Sequence, residues 1–199
     1  MELNTTHLIL TAAAGYLLGN ISPAYLIGKK FANIDIRKHG SGNAGTTNSL
    51  RLLGKKKAAA VLLIDALKGV AAAQLGFRLG GERLALVGAL AVIIGHVFPI
   101  FLNFQGGKGV ATTLGSLLSI FPTYGSIALL TGLVLILRTR IVSLGSMVGV
   151  VSMALIVFFS GADRFSLTIV SFIALFVLFT HRENISRLIK GTERKLGEK

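Results

Sequence analysis

An all-helical integral membrane protein, folded as a bundle of seven crossing helices, is the fold class this sequence predicts. Three observations carry it. Of 199 residues, 52% are apolar and only 15% charged, against about 25% charged in an ordinary soluble domain. Apolar runs of near-membrane length recur along the chain, and the mean hydropathy is +0.73. The net charge is +13, and the basic residues fall unevenly between the runs. Basicity alone would also suit a nucleic-acid binder, but such a protein needs no chain this apolar. The apolar content excludes disorder. The absence of cysteine excludes disulfide scaffolds, thiolate metal sites and cysteine nucleophiles. The length fits a single membrane domain over 1–199.

A crossing takes roughly 17–25 mostly apolar residues. Spans are expected near 6–28, 58–77, 84–102, 110–121, 124–137, 142–160 and 165–180. The first has no Lys or Arg before it, so it is read as structure rather than a cleavable signal. It contains Asn20-Ile21-Ser22-Pro23, where the proline frees a backbone carbonyl that a neighbour must satisfy. The fourth and fifth are short and separated by Phe121-Pro122-Thr123-Tyr124-Gly125. They are two half-length helices or one broken crossing, so five or six crossings are the alternative. Seven spans place 17 of the 21 Lys/Arg on one side and leave only Arg78, Arg83 and Arg164 on the other, with Lys68 inside a span. The positive-inside rule then puts the N-terminus outside and the C-terminus in the cytoplasm.

Polar residues and glycines gather at the cytoplasmic ends of these spans. The first cluster runs from Gly40 through Ser41, Gly42, Asn43, Gly45, Thr47 and Asn48 to Arg51. Glycines let the backbone approach a ligand, and Arg51 offers a bidentate fork for phosphate. Gly40–Gly45 also spells G-x-G-x-x-G, with Asp65 20 positions beyond Gly45. No strand precedes it, so it is not a dinucleotide fingerprint. The second cluster, Gly106-Gly107-Lys108-Gly109 with Thr112, opens a predicted helix and makes an anion site of its N-terminus. His96 lies just upstream, as a packing residue or a site residue. Asp65 and Lys68 are three apart and share a helix face. Each charge costs roughly 2.5–3.5 kcal/mol at mid-membrane, so both face the bundle, as a structural ion pair or toward substrate. His181-Arg182-Glu183-Asn184 closes the last span, and Arg138, Arg140, Ser143 and Ser146 fall at the same level.

Several patterns are absent. None of the four histidines begins a His-x4-Asp dyad, no Gly-x-Ser-x-Gly elbow occurs, and no acidic or histidine cluster has metal spacing. No metal or cofactor is expected. The inventory describes a binder of one or two phosphates without a nucleophile. A small organic-phosphate transporter is the alternative, supported by broken helices with glycine. An anionic-lipid scaffold would leave the glycine loops unexplained.

The strings GSGNAGTTNSLR (40–51), DALKG (65–69), GHVFPIFLNFQGGKGVAT (95–112) and HRENISRL (181–188) resemble the bacterial acyl-phosphate:glycerol-3-phosphate acyltransferases, the PlsY family. The resemblance covers essentially the whole chain. It implies a seven-helix membrane bundle and transfer of a fatty acyl group from acyl phosphate to the 1-hydroxyl of sn-glycerol 3-phosphate. The products are lysophosphatidic acid and phosphate, the first step of phospholipid biosynthesis. The implied place is the bacterial inner (cytoplasmic) membrane, with the site facing the cytoplasm. The implied partner is the acyl-phosphate-forming phosphate acyltransferase, PlsX. As catalytic residues it implies Ser41, Asn43, Arg51, His181 and Asn184. Around substrate it implies Thr47, Gly106, Gly107, Lys108 and Gly109, with Glu183 structural; read from the residues themselves, Gly40, Gly42, Gly45, Asn48, Lys68, His96, Thr112 and Ser143 join them as substrate-binding candidates and Asp65 as a structural one. The Gly106–Gly109 loop with Lys108 would hold the phosphate of glycerol 3-phosphate. The acyl phosphate's own phosphate would take the proton.

Overall fold

The computed structural model describes residues 4–198. Among them the regular structure is helical throughout. The helices are α1 (Thr5–Asn20), α2 (Pro23–Ala32), α3 (Thr46–Leu53), α4 (Lys55–Val97), α5 (Val110–Ile120), α6 (Pro122–Thr139), α7 (Val142–Phe159), α8 (Arg164–Thr180) and α9 (Arg182–Ile189). Single 3-10 turns lie at Ile36–Lys38 and Ile100–Leu102. The chain divides into two compact units, the first ending at Ile120 and the second starting at Phe121.

Local chemistry sets the helix ends. Asn4 Oδ1 accepts from Thr6 N at 2.9 Å and caps α1. The first apolar run then breaks, because Pro23 can begin a helix but not continue one. Ser22 Oγ caps the new start by accepting from Tyr25 N at 3.4 Å, with Pro23 in the first turn of α2. The 43-residue α4 would measure about 65 Å if straight, twice a membrane core. It folds back at Gly80–Gly81, where Gly81 takes φ +71°. Its two arms cover the second and third apolar runs of the sequence.

Small residues let the helices of the first unit close on one another, as membrane helices require. A Cβ on Gly88 would overlap the Ala72 carbonyl of the opposite arm of α4. One on Gly19 would overlap the Val92 carbonyl, and one on Gly95 the Tyr16 carbonyl, so α1 lies against the second arm. Gly115 of α5 meets Ala66 of the first arm in the same way. In the second unit Gly145 of α7 meets the Gly132 carbonyl of α6, and Met153, Val157, Val170, Ile173 and Val177 are buried along α7 and α8. Leu17 and Leu63 in the first unit and Leu130, Phe159 and Leu175 in the second stay exposed.

By length and composition, Lys55–Leu102, Pro122–Thr139 and Val142–Phe159 suffice to cross a bilayer. Arg164–Thr180 with Arg182–Ile189, bent by 60°, makes a fourth candidate. The apolar α5 is shorter, at 11 residues.

Candidate functional site

The first glycine cluster is a shaped loop with a rigid seat. Ile36 and Ala44 are fully buried with Ala24 and Val61, and Leu52 and Leu53 pack against them. Gly40 and Gly42 take φ +63° and +71°, conformations that suit glycine. Asn48, 2% exposed, ties the loop. Its Oδ1 accepts from Ser41 N at 3.0 Å, and its Nδ2 donates to the carbonyls of Ile36, His39 and Asn43 at 3.0–3.1 Å. Its carboxamide is thus spent on shaping the loop. Ser41 and Arg51 remain exposed, and Asn43 and Thr47 half-buried. Arg37 braces the loop from outside, donating to Asp35 and, at 2.7 Å, to the Leu102 carbonyl. Those Arg37 hydrogen bonds, against a smaller opposing effect of burial, lower the Asp35 carboxyl to about 2.

The second cluster meets the first. Gly106 N donates to Val97 O and Gly107 N to His96 O, both at 3.1 Å, so the loop lies back along the end of α4. Ala44 N donates to Gly106 O at 3.3 Å and joins the two glycine loops. Gly109 takes φ +83°, and α5 opens at Val110, turning its first N–H groups toward the loop. Lys108 is half-buried, whereas Gly107 and Thr112 are buried.

Beneath this junction lie Asp65, Lys68 and His96, each at most 6% exposed. Lys68 Nζ is 2.8 Å from Asp65 Oδ1 and 2.8 Å from His96 Nδ1. It also donates to Gly19 O at 3.1 Å and Ile21 O at 2.7 Å. These carbonyls flank the break between α1 and α2, so Lys68 satisfies the acceptors that Pro23 leaves. His96 completes the cluster, 3.2 Å from Asp65 Oδ1. A Cβ on Gly107 would overlap His96 Nε2, so ring and loop are in direct contact.

The second unit holds its own polar node. His181 is buried at the α8–α9 bend, and its Nδ1 lies 2.8 Å from Val177 O. In the neutral ring this puts the proton on Nδ1 and makes Nε2 the acceptor nitrogen. Glu193 Oε1 accepts from Ser143 Oγ at 2.7 Å and from Asn184 Nδ2 at 2.6 Å, and Oε2 from Arg187 Nε at 2.7 Å. Burial alone would raise the Glu193 carboxyl. These three donors and the Arg187 charge outweigh burial and hold it below the usual carboxylate range. Glu183 stands exposed, 4.0 Å from Arg187.

Known proteins share this architecture and sequence. The family model described as glycerol-3-phosphate acyltransferase matches residues 9–191. The chain belongs to the glycerol-3-phosphate acyltransferase family. A relative of that name from Thermoanaerobacter sp. (strain X514) is 46% identical, covering 96% of each chain. One from Clostridioides difficile (strain 630) is 44% identical with the same coverage. A crystal structure of PlsY, an integral membrane glycerol 3-phosphate acyltransferase in its glycerol 3-phosphate form, superposes with a TM-score of 0.91 at 36% identity, covering 96% of each chain. Its lysophosphatidic acid form gives 0.88 at 35% identity, over 96% of this chain and 95% of that one.

For an acyltransferase of this family, the sequence left one organising residue unmarked. Glu193 follows α9 in a basic tail that reads as a surface anchor. Its signal was faint: the first of two acids beyond Gly191, itself at φ +68°, and six residues from the Arg187 it binds. Among the described residues no group of three His, Asp or Glu side chains is arranged to hold a metal ion.

Proposed function

We propose that this acyltransferase moves a fatty acyl group from acyl phosphate to the 1-hydroxyl of glycerol 3-phosphate, releasing lysophosphatidic acid and phosphate. The observation that carries the reading is the junction of two glycine loops above Lys68 and His96, in a chain matched by the family over 9–191. Both substrates carry phosphate. The first N–H groups of α5, with Lys108 and Arg51, are there to receive it.

The chemistry needs no covalent intermediate. The hydroxyl oxygen attacks the acyl carbon, the bond from that carbon to the phosphate oxygen breaks, and the departing phosphate takes the hydroxyl proton. The protein aligns the reactants and excludes water. One donor to the developing oxyanion contributes roughly 2.7–4 kcal/mol. We assign Lys108, with the loop 106–109, to the glycerol 3-phosphate phosphate, and Ser41, Asn43, Thr47 and Arg51 to phosphate and reacting groups. Asn48 keeps the first loop in shape. In the second unit, His181 and Asn184 serve orientation or the transition state, and Ser143 serves substrate.

The same reading places the chain in the cytoplasmic membrane with seven crossings, counting each arm of α4 as one, the N-terminus outside and the site facing the cytoplasm. Acyl phosphate would arrive from the enzyme PlsX at that surface. Purified protein given palmitoyl phosphate and radiolabelled glycerol 3-phosphate should form labelled lysophosphatidate by sequential kinetics. Turnover with palmitoyl-CoA alone, or labelled acyl group retained on the protein, would refute the donor and the direct route. Because the chain lacks cysteine, a single Ser41→Cys variant tests orientation. Its labelling from outside sealed cells would refute the topology.

A further inference from the structure

His96 stands between two kinds of group. Its Nδ1 lies 2.8 Å from Lys68 Nζ and 3.2 Å from Asp65 Oδ1. Its Nε2 faces Gly107 so closely that a Cβ there would overlap it. The residue is 6% exposed, so its neighbours, not bulk water, decide which nitrogen carries the proton.

An ammonium only donates. Lys68 Nζ has three protons and three hydrogen-bond partners, Gly19 O at 3.1 Å, Ile21 O at 2.7 Å and His96 Nδ1 at 2.8 Å, while Asp65 Oδ1, 2.8 Å away, pairs with its charge without a hydrogen bond. A proton on Nδ1 would set N–H against N–H across that 2.8 Å. Nδ1 is therefore the acceptor, and the ring's one proton sits on Nε2. Among the described residues nothing accepts it. The nearby carbonyls of His96 and Val97 already receive Gly107 N and Gly106 N. On a residue only 6% exposed, a ring N–H with no hydrogen bond among the described residues thus abuts the glycine loop at Gly107.

We infer that Lys68 fixes the tautomer of His96 so that its Nε2–H donates to a phosphoryl oxygen of substrate lodged on the Gly106–Gly109 loop. This rests on the reading of that loop as the phosphate seat. His96 is the contacting residue and Lys68 the positioning residue. A neutral donor suits the place: a charged imidazolium would stand 2.8 Å from the Lys68 ammonium.

The test is nitrogen NMR of the full chain in detergent, with ring-labelled histidine and His96→Gln to assign the signal among four histidines. The resting protein should show a protonated Nε2 and a bare Nδ1, and added glycerol 3-phosphate should shift Nε2 saturably. Lys68→Met should release the tautomer, moving the proton to Nδ1 toward Asp65, while Lys68→Arg, still a donor, should preserve it. Asp65→Asn with Lys68→Met provides a second variant without a stranded carboxylate, and it too should lose the fixed tautomer. His96→Phe should weaken glycerol 3-phosphate binding about tenfold or more, the scale of a lost bond to a charged group. A resting ring protonated on Nδ1, or on both nitrogens, overturns the inference. Glycerol 3-phosphate that binds but leaves His96 unshifted, or binds His96→Phe unchanged, overturns the contact and leaves the acyl-transfer reading standing. No binding of glycerol 3-phosphate at all overturns both.

Discussion

Glu193→Ala should loosen the second unit and slow turnover. The carboxylate receives Ser143 and Asn184 on one oxygen and Arg187 on the other, all at 2.6–2.7 Å. A neutral hydrogen bond contributes a net 0.5–1.5 kcal/mol, and one to a charged group about 1.5–3. All three bonds end on the charged carboxylate, so simple addition gives about 4.5–9 kcal/mol. The Arg187 side chain is 38% exposed, so water replaces part of its loss, and bonds sharing one carboxylate do not add independently. A cost of about 2–4 kcal/mol remains. For a chain of this length each kcal/mol moves Tm by about 2–4 °C, which predicts a fall of roughly 4–16 °C in detergent, read by circular dichroism. Turnover should fall with it, because Asn184 and Ser143 lose the group that orients them. Glu193→Gln should recover the Ser143 and Asn184 contacts but set an amide N–H against Arg187, leaving a smaller deficit. Unchanged Tm and unchanged turnover in Glu193→Ala would refute the argument that this tail residue organises the node.

Four further outcomes are expected. Asn48→Ala removes four contacts from the first loop and should cut activity far more than Tm; wild-type turnover would contradict its shaping role. Gly107→Ala drives a methyl into His96 Nε2, and the ring, held by Lys68, cannot retreat. Overpacking costs typically 1–3 kcal/mol, so a lower Tm and a raised KM for glycerol 3-phosphate should appear together in thermal and steady-state assays. Lys108→Ala should raise KM for glycerol 3-phosphate with kcat largely kept, as loss of uniform binding does; an unchanged KM with collapsed kcat would move Lys108 to the reacting centre. Asp35 and Glu193 both have depressed carboxyls in the fold, so their stabilisation is present above the ordinary carboxylate range and is lost as pH falls. Tm should decline below about pH 4.5, with the Asp35 share continuing to fade toward about 2, and Arg37→Met should flatten the lower part of that curve.

The sequence made the helices legible because hydrophobic run length and charge placement are local signals. The arms of α4 fall where the second and third apolar runs were expected, and Gly80–Gly81 supplies the turn. The break at Asn20–Pro23 was legible as a proline effect. What satisfies its carbonyls was not, since Lys68 lies 47 residues from Ile21 and only the packing of α1 on α4 joins them. The same limit applies to His96. Pairing of Asp65 with Lys68 follows from a spacing of three, but recruitment of His96 depends on the fold-back of α4. Asn48 looked like a ligand group because a carboxamide in a glycine loop has the same appearance whether it faces substrate or its own backbone. Glu193 was hidden among lysines and arginines, its partners supplied by α7 and α9.

The lysine at the broken first helix also bears on the alternative of transport. In carriers built on unwound helices, the exposed carbonyls commonly hold a sodium ion or proton donor that arrives from one side and leaves by the other. Here the carbonyls of Gly19 and Ile21 hold a cation that is part of the polypeptide. A tethered ion cannot be exchanged. The discontinuity therefore has no coupling ion to trade against a gradient, and it behaves as a fixed joint that keeps α1 and α4 in one register through every turnover.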